Sequence, residues 1–359
     1  MKNSFGTNIS LTLFGESHGP YIGMTLDGLP AGFKIDIKQI QKDLDLRKPK
    51  NNLSTPRKEA DDFQIISGYF NDYTTGTPLT VCIPNQNIHS ANYSPNELRP
   101  SHADFTAFEK YHGFQDYRGG GHFSGRLTAC LVVAGSICRQ ILKEQGIVIG
   151  SHIERIHHIV DDSFSEHIES EILQMNESDF AVLNPQAKEA MQEAILAASK
   201  NEDSVGGIIE TAILHVPTGV GEPFFDSIES ILSHLLFSIP AVKGVSFGDG
   251  FSIAEKYGSQ ANDAFVCVDE KIYTQTNHNG GINGGISNGM PIVIHTAIKP
   301  TPSIKKRQAT VHYETKEAID LKIQGRHDPC IVHRARIVVD SVIAFGLLDL
   351  LMSRKANQL

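Results

Sequence analysis

The run Leu127 to Cys138, LTACLVVAGSIC, is apolar on every side of the helix that it would form. A helix on a protein surface keeps one polar face, so a helix without one must be enclosed by other elements. The run falls well short of a membrane span. Its expected place is therefore a central helix, from about Gly125 to Glu144, and a last helix of similar character is expected from Ile337 to Arg354. A chain that encloses whole helices must also supply the layers that cover them.

Alternating or β-rich segments at Asn8 to Leu13, Ile22 to Leu26, Phe63 to Phe70, Leu79 to Ile83, Ile147 to Ile153, Gly207 to Val216 and Ile292 to Ile298 predict the strands of such layers. Helix starts are marked by Asp36 before IKQIQKDLDLRK, by Asn184 and Pro185 before QAKEAMQEAILAASK, and by Asp226 before SIESILSHLLFS. Asp or Asn as N-cap and Pro in the first helical position both suit the free N–H groups there. Strands and helices are mixed rather than strictly alternating, which argues against a doubly wound parallel sheet. No repeat or linker divides the chain, so a single domain over residues 1–359 is expected.

Composition removes several function classes. A formal net charge of −9 gives no general attraction to nucleic acid or to an anionic membrane, so any anion site must be a local gathering of Lys and Arg. The five cysteines are odd in number, widely spaced and without a C-x-x-C pair, which suggests neither a disulfide framework nor a Cys-based zinc site and suits a reducing cytosol. The first residues, MKNSFGTNISLTLFGESHG, are too polar for a signal sequence, and a cytoplasmic protein is expected. Sixteen histidines raise the question of metal, but H-E-x-x-H is absent. In the densest cluster, HIERIHH (152 to 158), strand parity sets His152 on one face with His158 and opposite His157, with no acidic neighbour to complete a ligand set.

Chemistry gathers instead in the loops: GESHG (15 to 19), RPSHAD (99 to 104), YRGGGHFSGR (117 to 126), TNHNGGINGG (276 to 285), KPTPSIKKR (299 to 307) and QGRHDPC (324 to 330). Each sets a His, Arg, Lys or Asp beside Gly or Pro, the composition of loops that carry sites on a rigid scaffold. GGHFSGRL has the glycine spacing of a phosphate-binding P-loop, but Arg126 and Leu127 stand where Lys and the magnesium-binding Ser or Thr belong, and no buried strand precedes it. A phosphoryl transferase is thus disfavoured. What remains is a tight turn that delivers His122, Ser124 and Arg126 to the N-terminus of a buried helix, where free N–H groups and the helix dipole favour an anion. Arg47, Lys48, Lys50, Arg57 and Lys58 form one further basic cluster, and Lys299, Lys305, Lys306 and Arg307 another. His18 and His102, each in a short polar loop, suit proton transfer near neutral pH, with Asp328 as the acidic counterpart. A non-catalytic anion-binding scaffold is the competing reading.

Taken in order, FGESHG, RPSHAD, DYRGGG, GGINGGIS, KPTPSI and GRHDPC resemble the chorismate synthase family across essentially the whole chain. The resemblance implies an α+β fold, a central helical bundle between two antiparallel sheets, and a homotetramer. It implies conversion of 5-enolpyruvylshikimate 3-phosphate to chorismate by 1,4-anti elimination of phosphate, with reduced FMN lending electrons to the allylic C–O bond and no net redox change. By the same resemblance His18 protonates the departing phosphate, His102 protonates or polarises the flavin, and Asp328 relays the substrate hydrogen through flavin N5. Flavin contacts fall on His122, Phe123, Ser124, Ala241, Gly284, Lys299, Pro300, Thr301, Pro302, Ser303 and Arg326. Substrate carboxylates and phosphate fall to Arg47, Arg57, Arg99, Arg126 and Arg326. Many members read GGGRSSARET where this chain reads GGGHFSGRLT, so His122, Phe123 and Leu127 replace Arg, Ser and Glu. No reductase domain or nicotinamide motif accompanies the loops, and reduction of the flavin from outside, rather than by the chain's own use of NAD(P)H, is expected.

Overall fold

The computed structural model describes residues 3–50, 53–54, 60–86, 94–323 and 327–356. Two five-stranded sheets, antiparallel at every pairing, form its outer layers. The first orders its strands as Ser4–Phe5, Ser10–Gly15, Tyr21–Asp27, Leu79–Pro84 and Gln64–Ser67. The second runs Val242–Phe247, Ile292–Ile298, Gly207–Leu214, Val148–Ile156 and Ile159–Val160. All seven expected strands are present within a few residues of their predicted bounds. Phe63 to Phe70 is the exception in continuity: it breaks at Gly68, and Tyr69–Phe70 pairs locally with Tyr73–Thr74 instead.

The helices, in chain order, are α1 (Ile37–Arg47), α2 (Asp104–Tyr111), α3 (Thr128–Glu144), α4 (Ile168–Asn176), α5 (Pro185–Lys200), α6 (Ile228–Ser238), the short α7 (Gly258–Ala261) and α8 (Val332–Ala356). Asp36 and Asn184 cap α1 and α5 as expected, each accepting two backbone N–H bonds. The cap of α6 is not Asp226, which closes a 3₁₀ turn, but Ser227, whose Oγ accepts from Ser230 N at 3.0 Å. Ser227 has the extended backbone that an N-cap requires (φ −63°, ψ 154°).

Helix α3 is buried without interruption from Thr128 to Cys138. It packs on α8, with α1 and α6 alongside; α3 also meets the strand Tyr21–Asp27 of one sheet, while α8 meets Val148–Ile156 and Gly207–Leu214 of the other. The helices thus form the middle layer of an α+β sandwich, and one apolar cluster runs through it from Ile9 to Leu351. Residues 125 to 144 together are long and apolar enough for a membrane span by composition, contrary to the sequence expectation, yet 83% of that window is buried inside the protein. At the α3–α8 crossing a Cβ on Gly135 would lie 2.2 Å from that of Ser341, so only glycine lets the two backbones approach.

Helix α8 begins at Val332, five residues before its predicted start at Ile337. His333, Arg334 and Arg336 interrupt the apolar pattern there, because their polar groups serve Ser54, Arg47 O and Ser151 O while Val332 beside them packs into the core. Near the other end, Asp349 accepts the backbone N–H groups of Thr7, Asn8 and Ile9 at 3.0, 2.6 and 3.0 Å, tying the chain's first segment to its last helix.

Candidate active site

The glycine-rich turn is pinned to the GESHG loop: Ser17 N donates to Gly121 O at 3.1 Å, and His122 donates Nδ1–H to Gly15 O at 2.8 Å. Gly119 and Gly120 have φ of 67° and 131°. A Cβ at Gly119 would stand 2.5 Å from His18 Nε2, and one at Gly120 would stand 3.7 Å from His102 Nε2. The glycines therefore do two things at once, reversing the chain where side chains are strained and, at Gly119, leaving room for the His18 imidazole, with His102 in contact range of Gly120. His18 is buried, and His102 is half-buried.

His102 is held from behind. Its Nδ1 lies 2.7 Å from Asp104 Oδ1, and Asp104 also accepts Nε and Nη2 of Arg99, each at 2.7 Å. Burial alone would raise the Asp104 pKa, but the hydrogen bonds from His102 and Arg99 outweigh it and keep the group well below the usual carboxylate range. Arg99, expected to meet substrate, thus commits one edge of its guanidinium to Asp104. The turn Gly121–Phe123 and a further 3₁₀ turn at Gly125–Leu127 lead into α3, with Ser124 Oγ accepting from Arg126 N at 3.2 Å. Phe123 is exposed, edge-on to Tyr111 at 6.1 Å between ring centroids.

Behind the turn lies a buried charge cluster that the sequence did not announce. Arg47, at the end of α1, donates Nη2 to Asp61 Oδ2 at 2.9 Å; Arg126 donates Nη1 to Asp61 Oδ1 and Nε to Asn85 Oδ1 at 3.0 Å. All three charged side chains are at least nine-tenths buried, at 7%, 2% and 7% exposure for Arg47, Asp61 and Arg126. Two cations face one anion. Burial lowers the Arg47 pKa, against the pull of Asp61 and with repulsion from Arg334 and Arg126. Arg47 Nε is buried and has no hydrogen-bond partner among the described residues, a donor that a ligand anion would satisfy.

Asp328 joins this group through Arg334, whose Nη1 donates to Asp328 Oδ2 at 2.7 Å and whose Nε donates to Arg47 O at 2.9 Å. The loop after Ile298 closes the other side: Lys299 Nζ donates to Ser101 O at 2.8 Å, beside His102, and Lys299 N to Ala241 O at 2.9 Å. Ala241 holds φ 77°, Thr301 accepts from Ser204 Oγ at 2.7 Å, and Pro302 and Ser303 are half-buried while Pro300 is exposed. The buried Thr301 Oγ1 and His327 Nε2 have no hydrogen-bond partner among the described residues. Gly284 is exposed at the tip of the Ile282–Ser287 hairpin, whose Gly285 packs against Ser227 and Glu222. Arg57 and Arg326 lie outside the described residues. Asp61, Arg334 and Asn85 carried no sequence signal, whereas Asp104 could have been found from its place two residues after His102.

The histidine cluster at 152 to 158 resolves differently from its sequence parity. The strand ends at Ile156, and His157 turns away with φ 54°. His152 does have acidic neighbours, brought by tertiary folding: Nδ1 lies 2.9 Å from Asp161 Oδ2 and Nε2 lies 2.6 Å from Glu210 Oε2. Among the described residues no group of three or more His, Cys, Asp or Glu is arranged to hold a metal ion.

Comparison with known proteins agrees with this fold. The family profile described as chorismate synthase matches residues 9–352. A chorismate synthase of Thermococcus kodakarensis is 44% identical over 353 residues, covering 98% of each chain, and one of Pyrococcus abyssi is 45% identical over 356 residues, covering 99% of each. A solved structure titled Crystal Structure of Chorismate Synthase superposes with a TM-score of 0.77 at 26% identity, over 98% of this chain and 93% of that one. With two antiparallel sheets around a helical layer and homologous sequence from end to end, the chain belongs to the chorismate synthase family.

Proposed function

We propose that the protein converts 5-enolpyruvylshikimate 3-phosphate to chorismate and inorganic phosphate by 1,4-anti elimination, with reduced FMN as its cofactor. The observation that carries this reading is the convergence of His18 and His102 on one glycine turn, backed by a buried cluster with surplus positive charge and an unspent Arg47 donor. Such a cluster suits a substrate bearing carboxylates and a phosphate. Thr301 Oγ1 and His327 Nε2, buried without partners, and the exposed ring of Phe123 fit a planar heteroaromatic cofactor with polar edges.

When bound, reduced FMN supplies transient electron density that loosens the allylic C–O bond and is returned by the end of the turnover. The chain's own residues handle protons and charge. Arg47 and Arg126 bind the anionic groups of the substrate, and His18 gives a proton to the departing phosphate oxygen. Asp328, oriented by Arg334, takes the ring hydrogen as a proton once the C–H bond breaks. His102, with Nε2 facing Gly120, would protonate or polarise the flavin. The whole described chain acts as one domain, in a cytoplasmic homotetramer whose flavin is reduced from outside.

The P-loop reading finds no support in the turn, since Arg126 is bound to Asp61 and Leu127 is buried. The test is an anaerobic assay with reduced FMN and the enolpyruvyl substrate, with chorismate followed by absorbance. Turnover that needs the reduced flavin and disappears in His18→Ala is expected; absence of turnover, or full turnover with flavin omitted, would overturn the reading.

A further inference from the structure

We propose that Asp104 is a positioning residue for His102, setting which imidazole nitrogen faces the glycine turn. This inference rests on the functional reading above for its catalytic consequence, but not for its geometry.

Asp104 is the first residue of α2, one position after its N-cap Ala103, where the helix dipole favours an acidic side chain. The helix has no side-chain cap bond at its N-terminus, and both carboxylate oxygens are spent on the preceding loop. Oδ2 accepts the Arg99 backbone N–H at 3.0 Å and Arg99 Nε at 2.7 Å, while Oδ1 accepts Arg99 Nη2 and meets His102 Nδ1, both at 2.7 Å. The fork of Arg99 locks the carboxylate plane, because a bidentate pair fixes orientation as well as distance. A carboxylate kept ionised can only accept, so His102 must place a proton on Nδ1. The other nitrogen, Nε2, is then the one that faces Gly120. Its lone pair faces the turn as an acceptor. Arg99 and Asp104 thus hold the imidazole of His102 from behind.

The first measurement needs neither substrate nor flavin. Full-length protein with ¹⁵N-labelled histidine is examined by NMR on the alkaline side of the imidazole range, with the His102 signals identified by their loss in His102→Gln. The wild type is expected to carry its proton on Nδ1, and Asp104→Ala to move it to Nε2, the tautomer that a free histidine side chain favours. A wild-type Nε2–H tautomer, or no change in Asp104→Ala, would overturn the proposal. Should Asp104→Ala fail to fold, Asp104→Asn takes its place, and the wild-type tautomer alone still decides.

The second measurement is kinetic. Asp104→Ala is expected to lower kcat by about tenfold to a hundredfold, the usual range for losing an orienting partner of a histidine, with KM for the enolpyruvyl substrate little changed. Added to His102→Ala, the same substitution is expected to change kcat by less than about twofold, since two residues acting through one group are not additive. Additive losses, or a KM effect without a kcat effect, would overturn the positioning role. A wild type that does not turn over at all counts against the functional reading instead, and the tautomer result stands apart from it.

Discussion

Arg47–Asp61–Arg126 and Asp161–His152–Glu210 are both buried three-group charge clusters, yet they are built with opposite stoichiometry. In the first, one carboxylate serves two guanidiniums, and Arg47 Nε finds no partner among the described residues. In the second, one imidazole lies between two carboxylates, and both of its nitrogens are used. Asp161 is satisfied further by the backbone N–H groups of Leu183 and Asn184 at 2.7 and 2.9 Å, and the ring of Phe164 covers the imidazole at 4.7 Å between centroids. The lesson is that burial and charge do not mark a site by themselves. The two clusters differ in whether every nitrogen has a partner among the described residues, and an unpartnered buried donor beside two cations is a place where an anion would be accommodated.

Removing one member of each cluster should separate the two. His152→Ala leaves Asp161 and Glu210 buried without their shared partner, a change that costs about 3–5 kcal/mol of stability when one member of a buried charged group is deleted. Denaturant unfolding should show that loss, while kcat/KM of the protein that remains folded stays at the wild-type value. A large loss of kcat/KM without a stability change would assign the second cluster to catalysis and erase the distinction.

Arg47→Met should do the reverse with a smaller energy. Asp61 keeps Arg126, so folding is expected to suffer little, but the unspent donor and its charge are gone. Steady-state kinetics should show kcat/KM lower by about a hundredfold, equivalent to about 2.7 kcal/mol. If the melting temperature collapses while the surviving protein turns over normally, the first cluster is structural too.

A further expected effect concerns pH. Burial alone would lower the His152 pKa, but its bonds to Asp161 and Glu210 raise it to about 9. A folded-state value above that of the unfolded chain, about 6.5, means that the proton stabilises the fold fully below pH 6.5 or so. That contribution is lost as pH rises toward 9. Melting curves across this window should fall for the wild type and stay flatter for a folded His152 variant such as His152→Gln. Equal slopes would show that the imidazole is neutral in the fold.

How much of this was legible follows the range of each interaction. LTACLVVAGSIC required enclosure, and α3 is enclosed; Asp36 and Asn184 are local caps, and both cap. The loops that bear His18 and His102 were legible as motifs because each carries its own glycines or prolines. Where neighbours in sequence competed, as Asp226 did with Ser227 for the α6 cap, the backbone conformation decided. The start of α8 was hidden because polar side chains in its first turns break the apolar period.

Local chemistry, then, determined from sequence alone which segments would be strands, which helices must lie inside, and which loops would carry polar side chains. Only the tertiary structure decided that Asp61 would bridge Arg47 to Arg126 and that Glu210 would reach His152 across paired strands. It also decided that Asp340 would be buried against Ser151 at 2.7 Å. Propensity and periodicity act over a few residues and are written into neighbouring side chains. The pairing of buried charges depends on which distant segments share a low-dielectric interior, and that is known only once the layers have closed over them.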